Sequence, residues 1–158
     1  MLTVAEIMTR EPYTLGPDDS LADARELMAE HHMRHIPVVS AEGTLIGVVT
    51  QRDVLAAGGY SATRGTEAQV VLSTIMTEPV QTVDQSAGLR GTAMHLQKNK
   101  LGCLPVLHKG KLVGIITDSD FVAIAVNLME QLEAGEPDET DFDDDFVDDG
   151  EDLSSDLS

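Results

Sequence analysis

Two stretches of the chain carry the same set of groups able to hold a sugar and a phosphate. Residues 47–53 read GVVTQRD and residues 114–120 read GIITDSD, 67 positions later. In each, an apolar strand pattern runs into a threonine, Thr50 or Thr117, and an aspartate follows three residues on, Asp53 or Asp120. A carboxylate one turn into a helix can accept two hydrogen bonds from the vicinal hydroxyls of a ribose. The free N–H groups and positive dipole end of that helix favour a nearby phosphate. The threonine hydroxyl can bond either. The same spacing is also a capping box, in which the acid reaches back to the threonine N–H and only starts a helix. Spacing alone leaves both readings open.

The two copies differ where a phosphate would sit. The first has Arg34 and His35 upstream and Arg52 between Thr50 and Asp53. The second has Gly102 and Cys103, then Asp118 and Ser119, at those places. An added acid repels phosphate. The expectation is that the first copy holds a phosphorylated ligand, and the second a weaker one, a neutral nucleoside or nothing. If the two sites face one cleft, Arg34 and His35 can reach across it.

Other constellations carry less. His31 and His35 are four apart, but the helix before them should end near His32, so they do not share a face. No His-Glu-x-x-His pattern supports a metal site, and none is expected. Cys103 is the single cysteine, which excludes a disulfide framework and a cysteine-based zinc site; it reads as a packed thiol. His108 reads as a loop residue and His95 as part of a tolerant, half-exposed helix. No Ser-His-Asp order, Walker loop or paired-carboxylate site stands out, so the chain is not expected to be an enzyme.

What positions the two junctions is a repeat. Ile7-Met8-Thr9 returns as Ile75-Met76-Thr77, Leu21 as Leu89, Ile36-Pro37-Val38 as Leu104-Pro105-Val106, and Gly43 and Gly47 as Gly110 and Gly114. Each unit reads as a capped helical turn (from Thr3 or Ser73), a short strand (13–15 or 81–83), a helix, two strands and a second helix. Gly88 and Gly91 should weaken the first helix of the second unit. The expected boundaries are 1–57 for the first repeat, 58–70 for a linker, 71–132 for the second repeat and 133–158 for a tail. The expected fold is α+β (α/β-like), with two β-α-β-β-α units packed sheet to sheet about a pseudo-twofold axis. A half of about 55 residues closes only a marginal core by itself, which gives the duplication a physical reason.

Composition agrees with this division. The net charge is −18, yet residues 133–158 hold 13 acids and no Lys or Arg, leaving 15 acids against 10 bases elsewhere. Such a tail is expected to be disordered. It carries Phe142 and Phe146, then Leu153 and Leu157, each pair four apart, a spacing suited to docking on a partner. An acidic chain is a poor nucleic-acid binder. With no membrane-length apolar run and no signal pattern, a cytoplasmic location is expected.

Taken together, Ile-Met-Thr, the Thr14 and Thr82 strands, the Ile36-Pro37 and Leu104-Pro105 strands and the two Gly-x-x-Thr-x-x-Asp junctions resemble a tandem pair of cystathionine-beta-synthase (CBS) domains, a Bateman module. The resemblance covers about residues 1–132. It implies a regulatory module that binds AMP, ADP, ATP or S-adenosylmethionine between its repeats, requires no cofactor, pairs into homodimers and modulates a protein partner. It implies adenine contacts from Thr14, Leu15, Ile36, Pro37, Thr82, Val83, Leu104 and Pro105. Ribose and phosphate contacts would come from Thr50, Asp53, Thr117 and Asp120, with Arg34, His35 and Arg52 added from the charge argument. The alternative is a ligand-free interaction protein acting through its dimer surface and acidic tail.

Overall fold

Strand and helix signals alternate along the chain, and the elements follow them. The computed structural model describes residues 1–58 and 66–135. In chain order these form α1 (Val4–Ile7), β1 (Thr9–Arg10), α2 (Leu21–His31), β2 (His35–Val39), β3 (Leu45–Thr50), α3 (Gln51–Gly58), β4 (Val83–Asp84), α4 (Leu89–Asn99), β5 (Cys103–His108), β6 (Lys111–Thr117) and α5 (Asp118–Ala134), with a 3-10 turn at Leu72–Thr74 between α3 and β4. This is a mixed α and β fold with the helix and strand order expected of each repeat. The tail with its Phe and Leu pairs, and most of the linker, lie outside the described residues.

Local chemistry explains the boundaries. Ser20 caps α2, its hydroxyl accepting from Asp23 N at 3.1 Å while Asp23 accepts from Ser20 N at 3.0 Å. α2 stops at His32 and α4 at Lys100, both in the left-handed conformation with φ of 54° and 55°, one of the common ways to end a helix. Three details differ from the sequence reading. Gly88 is the N-cap of α4 and not part of its interior, so it does not carry a helix-interior glycine's cost. Ser73 lies inside the 3-10 turn, whose cap is Val71. The first short strand shrinks to a single bridge between Leu15 and Val38, and its counterpart is shifted to Val83–Asp84. Tertiary pairing decides such short strands.

The hydrogen bonds reveal an exchange that periodicity does not show. β1 pairs with β6, so the strand order is β1-β6-β5-β4. The first repeat mirrors it: Thr77 bridges Val48 of β3, β3 pairs with β2, and β2 bridges Leu15. Each Ile-Met-Thr segment therefore borders the other repeat's strands. The lead-in bonds are reciprocal too. Val4 N donates to Ala87 O at 2.9 Å and Leu72 N to Asp19 O at 2.9 Å; Leu89 N donates to Leu2 O and Leu21 N to Val70 O, both at 2.8 Å.

Packing follows the same exchange. The first repeat's core of Leu21, Ala24, Met28, Ile36, Val38, Val49 and Val54 is closed by Leu72, with Val70, Ile75 and Met76 packed against it. Met76 lies over Gly47, where an added Cβ would come within 2.5 Å of its Sδ, and Met8 lies over Gly114 in the same way, also at 2.5 Å. Both glycines are required because a neighbouring thioether occupies the place of their side chain. Residues 1–120 form one compact unit. A second tie joins α2 to the segment before the second repeat. Arg25 Nε and Nη2 donate to the two carboxylate oxygens of Glu67 at 2.9 and 2.8 Å, and the Glu67 side chain is only 8% exposed. A bidentate pair with one desolvated partner specifies position as well as energy.

α5 begins in that unit and continues beyond it. Its residues Val122, Val126, Met129 and Leu132 are exposed. No helix among the described residues is long and apolar enough to cross a membrane.

Two predictions follow from the packing. Gly114→Ala should destabilise by about 1–3 kcal/mol, the usual range for overpacking, and more than Gly47→Ala. At Gly114 the new methyl also meets the Thr9 carbonyl at 2.8 Å, and backbone cannot swing aside as a thioether can; urea unfolding of both variants measures the order. Arg25→Ala should cost about 1–3 kcal/mol by removing both charge-assisted bonds to a buried carboxylate, and Glu67→Gln should recover part of that loss in the double variant.

Candidate functional site

Each strand-to-helix junction is built by the same local bonds. Thr50 N donates to Asp53 Oδ2 at 2.9 Å and Asp53 N donates to Thr50 Oγ1 at 3.1 Å. Thr117 N donates to Asp120 Oδ2 at 2.8 Å, and the Thr117 hydroxyl lies 3.3 Å from the same oxygen. Both aspartates thus cap their helices through Oδ2. Asp53 Oδ2 also lies 3.4 Å from the Thr77 hydroxyl, which comes from the exchanged Ile-Met-Thr segment. In both aspartates Oδ1 makes no hydrogen bond with the described residues.

Beside the first junction opens a cleft of about 770 Å³. One wall comes from Arg34, His35, Val48, Thr50, Gln51, Arg52, Leu55 and Ala56 of the first repeat. The other comes from Thr77, Pro79, Val80, Gln81, Lys100, Leu101, Gly102, Cys103, Pro105 and Asp118 of the second. The walls meet because the Thr77 segment pairs with β3, bringing Pro79–Gln81 alongside Val48 and Thr50. The volume suits a drug-sized or nucleotide-sized molecule.

Its electrostatics favour an anion. Arg34, Arg52 and Lys100 line it, against one carboxylate, Asp118. Arg34 Nη2 lies 3.6 Å from Asp118 Oδ1, with both side chains more than half exposed. Such a pair contributes little to stability and leaves Arg34 free to exchange partners. Burial, then the charge of Arg34, lowers the His35 pKa below its ordinary value, with Asp118 pulling the other way. The ring is accordingly neutral at pH 7. It needs Gly102 opposite: a Cβ there would sit 2.8 Å from His35 Nε2. Burial, then Asp118, pushes the Cys103 thiol up to about 12, so it stays protonated and is a lining group, not a nucleophile.

Of the residues singled out in the sequence, Arg34, His35, Thr50, Arg52 and Pro105 line this cleft. Arg34 does reach across to the second repeat. Ile36 and Leu104 are fully buried, Ile36 within the first repeat's core, in strands covered on both faces, so that Pro37 and Pro105 beside them are buried as well. Ile36 and Leu104, with Thr14, Leu15, Pro37, Thr82, Val83, Asp53, Thr117 and Asp120, are not among the lining residues. Sequence reasoning passed over Lys100, Gln81, Val80 and Thr77. Lys100 was findable, since it follows α4 as His32 follows α2. The others depend on which strand the Thr77 segment joins. Among the described residues no group of three His, Cys, Asp or Glu side chains could hold a metal; His31 stacks on Tyr13, ring centroids 3.9 Å apart.

Comparison with known proteins agrees with this architecture. The CBS domain family model matches residues 4–59 and 72–127. A solved Vibrio cholerae protein named as an acetoin utilization protein, AcuB, is 46% identical, with a TM-score of 0.73 over 87% of this chain and 99% of that one. CBSX2, solved in complex with AMP, is 30% identical, with a TM-score of 0.70 over 82% of this chain and 99% of its own. The Bacillus subtilis CBS domain-containing protein YhcV is 28% identical across 85% of this chain and 91% of that one. A homoserine O-acetyltransferase of Methanocorpusculum labreanum is 34% identical over 73% of this chain, which spans only 23% of that relative's length. With both repeats matched and the exchanged strands in place, this chain belongs to the CBS domain family.

Proposed function

We propose that the chain is a regulatory module that binds an adenosine-containing ligand in the cleft between its repeats and modulates a partner. AMP, ADP, ATP and S-adenosylmethionine are the candidates, phosphorylated nucleotides being favoured by the charge. The observation that carries this reading is the convergence of Arg34, Arg52 and Lys100 on a nucleotide-sized cleft beside the Thr50 junction. CBSX2, a relative sharing 30% identity, is solved with AMP, which supports the ligand class.

In this reading the Thr50 hydroxyl and the Asp53 Oδ1 take ribose hydroxyls while Oδ2 keeps its capping role. Arg34, Arg52 and Lys100 hold the phosphate, with His35 as a neutral donor. Val80 and Leu101 offer apolar contact to adenine. Thr14, Leu15, Thr82 and Val83 remain proposed ligand contacts outside this cleft, with Thr117 and Asp120 at a second, weaker site; the burial of Ile36, Pro37 and Leu104 removes their side chains from contact. A phosphate on Arg34 competes with Asp118, so the ligand acts on the contact between repeats. That changes partner affinity only to the extent that the ligand prefers one arrangement. We also propose a cytoplasmic homodimer; the exposed apolar residues of α5 support a protein-binding surface.

Titration calorimetry tests the site. Asp53→Asn keeps an acceptor for the Thr50 N–H but loses the charge-assisted bonds to the diol, so AMP affinity should fall about 10-fold or more, and Asp120→Asn should do less. Equal losses would contradict the asymmetry, and no AMP binding by the wild type would favour the ligand-free alternative. Lys100→Ala and Arg52→Ala should each weaken AMP and ATP and leave adenosine unchanged. A matching loss for adenosine would show that the two cations do not act on phosphate.

A further inference from the structure

The second repeat departs from the first at one polar cluster whose hydrogen-bond directions can be derived. Asn99 Nδ2 lies 2.9 Å from the His95 carbonyl oxygen. A carbonyl can only accept, so the Asn99 amide presents its NH2 to that side. The same Nδ2 lies 3.2 Å from His95 Nδ1, which must then be the accepting nitrogen of that contact. The proton therefore sits on Nε2, and Nε2 lies 2.9 Å from Gln81 Oε1. Each step follows from the backbone carbonyl and needs no choice of tautomer or amide flip. The relay ends at Gln81, whose oxygen is occupied, leaving its NH2 as a donor with no partner among the described residues. Gln81 lines the cleft.

We propose that Gln81 is a specificity-determining hydrogen-bond donor for the cleft ligand, and that His95 and Asn99 are positioning residues that lock its polarity. The inference rests on the reading of the cleft as a nucleotide site and adds a selection rule to it. A glutamine free to flip accepts either a donor or an acceptor on the ligand. One held by this relay can serve only an acceptor, because flipping would set two N–H groups against each other. His95 and Asn99 are four apart on α4 and so share a face, and Gln81 precedes β4 on the same repeat. The first repeat has no such relay: Tyr13, Leu27 and His31 stand at the matching places. This gives His95 a role that explains why it replaces an apolar residue of the repeat pattern.

The test is AMP calorimetry on the full chain. Gln81→Ala should weaken AMP about 3–10-fold, the value of one hydrogen bond, and Gln81→Glu, which sets an acceptor against an acceptor, should weaken it more. His95→Phe should cost affinity in the wild-type background and nothing further in Gln81→Ala. His95→Gln should restore part of it, since its amide can accept from Asn99 and donate to Gln81. Thermal unfolding of each variant separates misfolding from loss of binding, and His95→Gln keeps the test decisive should His95→Phe fail to fold. AMP binding that is unchanged in Gln81→Ala, or equal losses from His95→Phe in both backgrounds, overturns the inference alone. A wild-type chain that shows no heat with AMP, ADP, ATP or S-adenosylmethionine overturns the functional reading and the inference with it.

Discussion

Two methionines resting on two glycines hold this chain together. Met8 occupies the space above Gly114 and Met76 the space above Gly47, so each repeat donates its leading segment to the other. A strand glycine is normally a loss of packing. Here it admits a polarizable side chain that makes many contacts. The backbone bonds of Thr77 with Val48 and of β1 with β6 add directional pairing to that contact. Neither half finishes its sheet or its core without the other, which is why residues 1–120 form one unit.

The cleft is a by-product of that exchange. Because the Thr77 segment must lie along β3, the residues that follow it are carried past the start of α3. They meet Thr50 and Arg52 there whatever their own side chains prefer. The junctions themselves need only the capping bonds to fold, so the side chains around them were free to diverge. One junction carries cations. The other carries Asp118, which faces Arg34, and Gly102, whose missing side chain leaves room for His35. A duplicated scaffold thereby holds a site with Arg34 and Arg52 on one wall and Lys100 beside a paired acid, Asp118, on the other.

The same divergence explains the polar cluster at His95. In the first repeat the matching positions hold an apolar residue and a stacked Tyr13–His31 pair. In the second they hold hydrogen-bonding groups that end at the cleft. Leu27 packs against the first repeat's core, whereas His95 and Asn99 are exposed and bond to each other and to Gln81. The second repeat thus gives up an apolar contact and presents different chemistry to a bound molecule.

Much of the fold was legible because it depends on short-range rules. The 67-residue recurrence, the Ser20–Asp23 and Thr50–Asp53 caps and the apolar runs around Pro37 and Pro105 each express local geometry, and they identified the family and the helix and strand order. Length and propensity could not place Val83–Asp84 or the single bridge at Leu15, because strands that short exist only through their partners. At the site, charge and motif pointed to Arg34, His35, Thr50 and Arg52. They could not point to Gln81 or Thr77, whose place in the cleft follows from which strand the exchanged segment joins. The sequence by itself determined the repeated elements, the two capped junctions and their unequal charge. Only the tertiary structure decided that Ile36 and Leu104 turn inward and that the two halves trade segments, because strand pairing between distant residues is set by shape and burial over the whole unit and leaves no periodic mark on the chain.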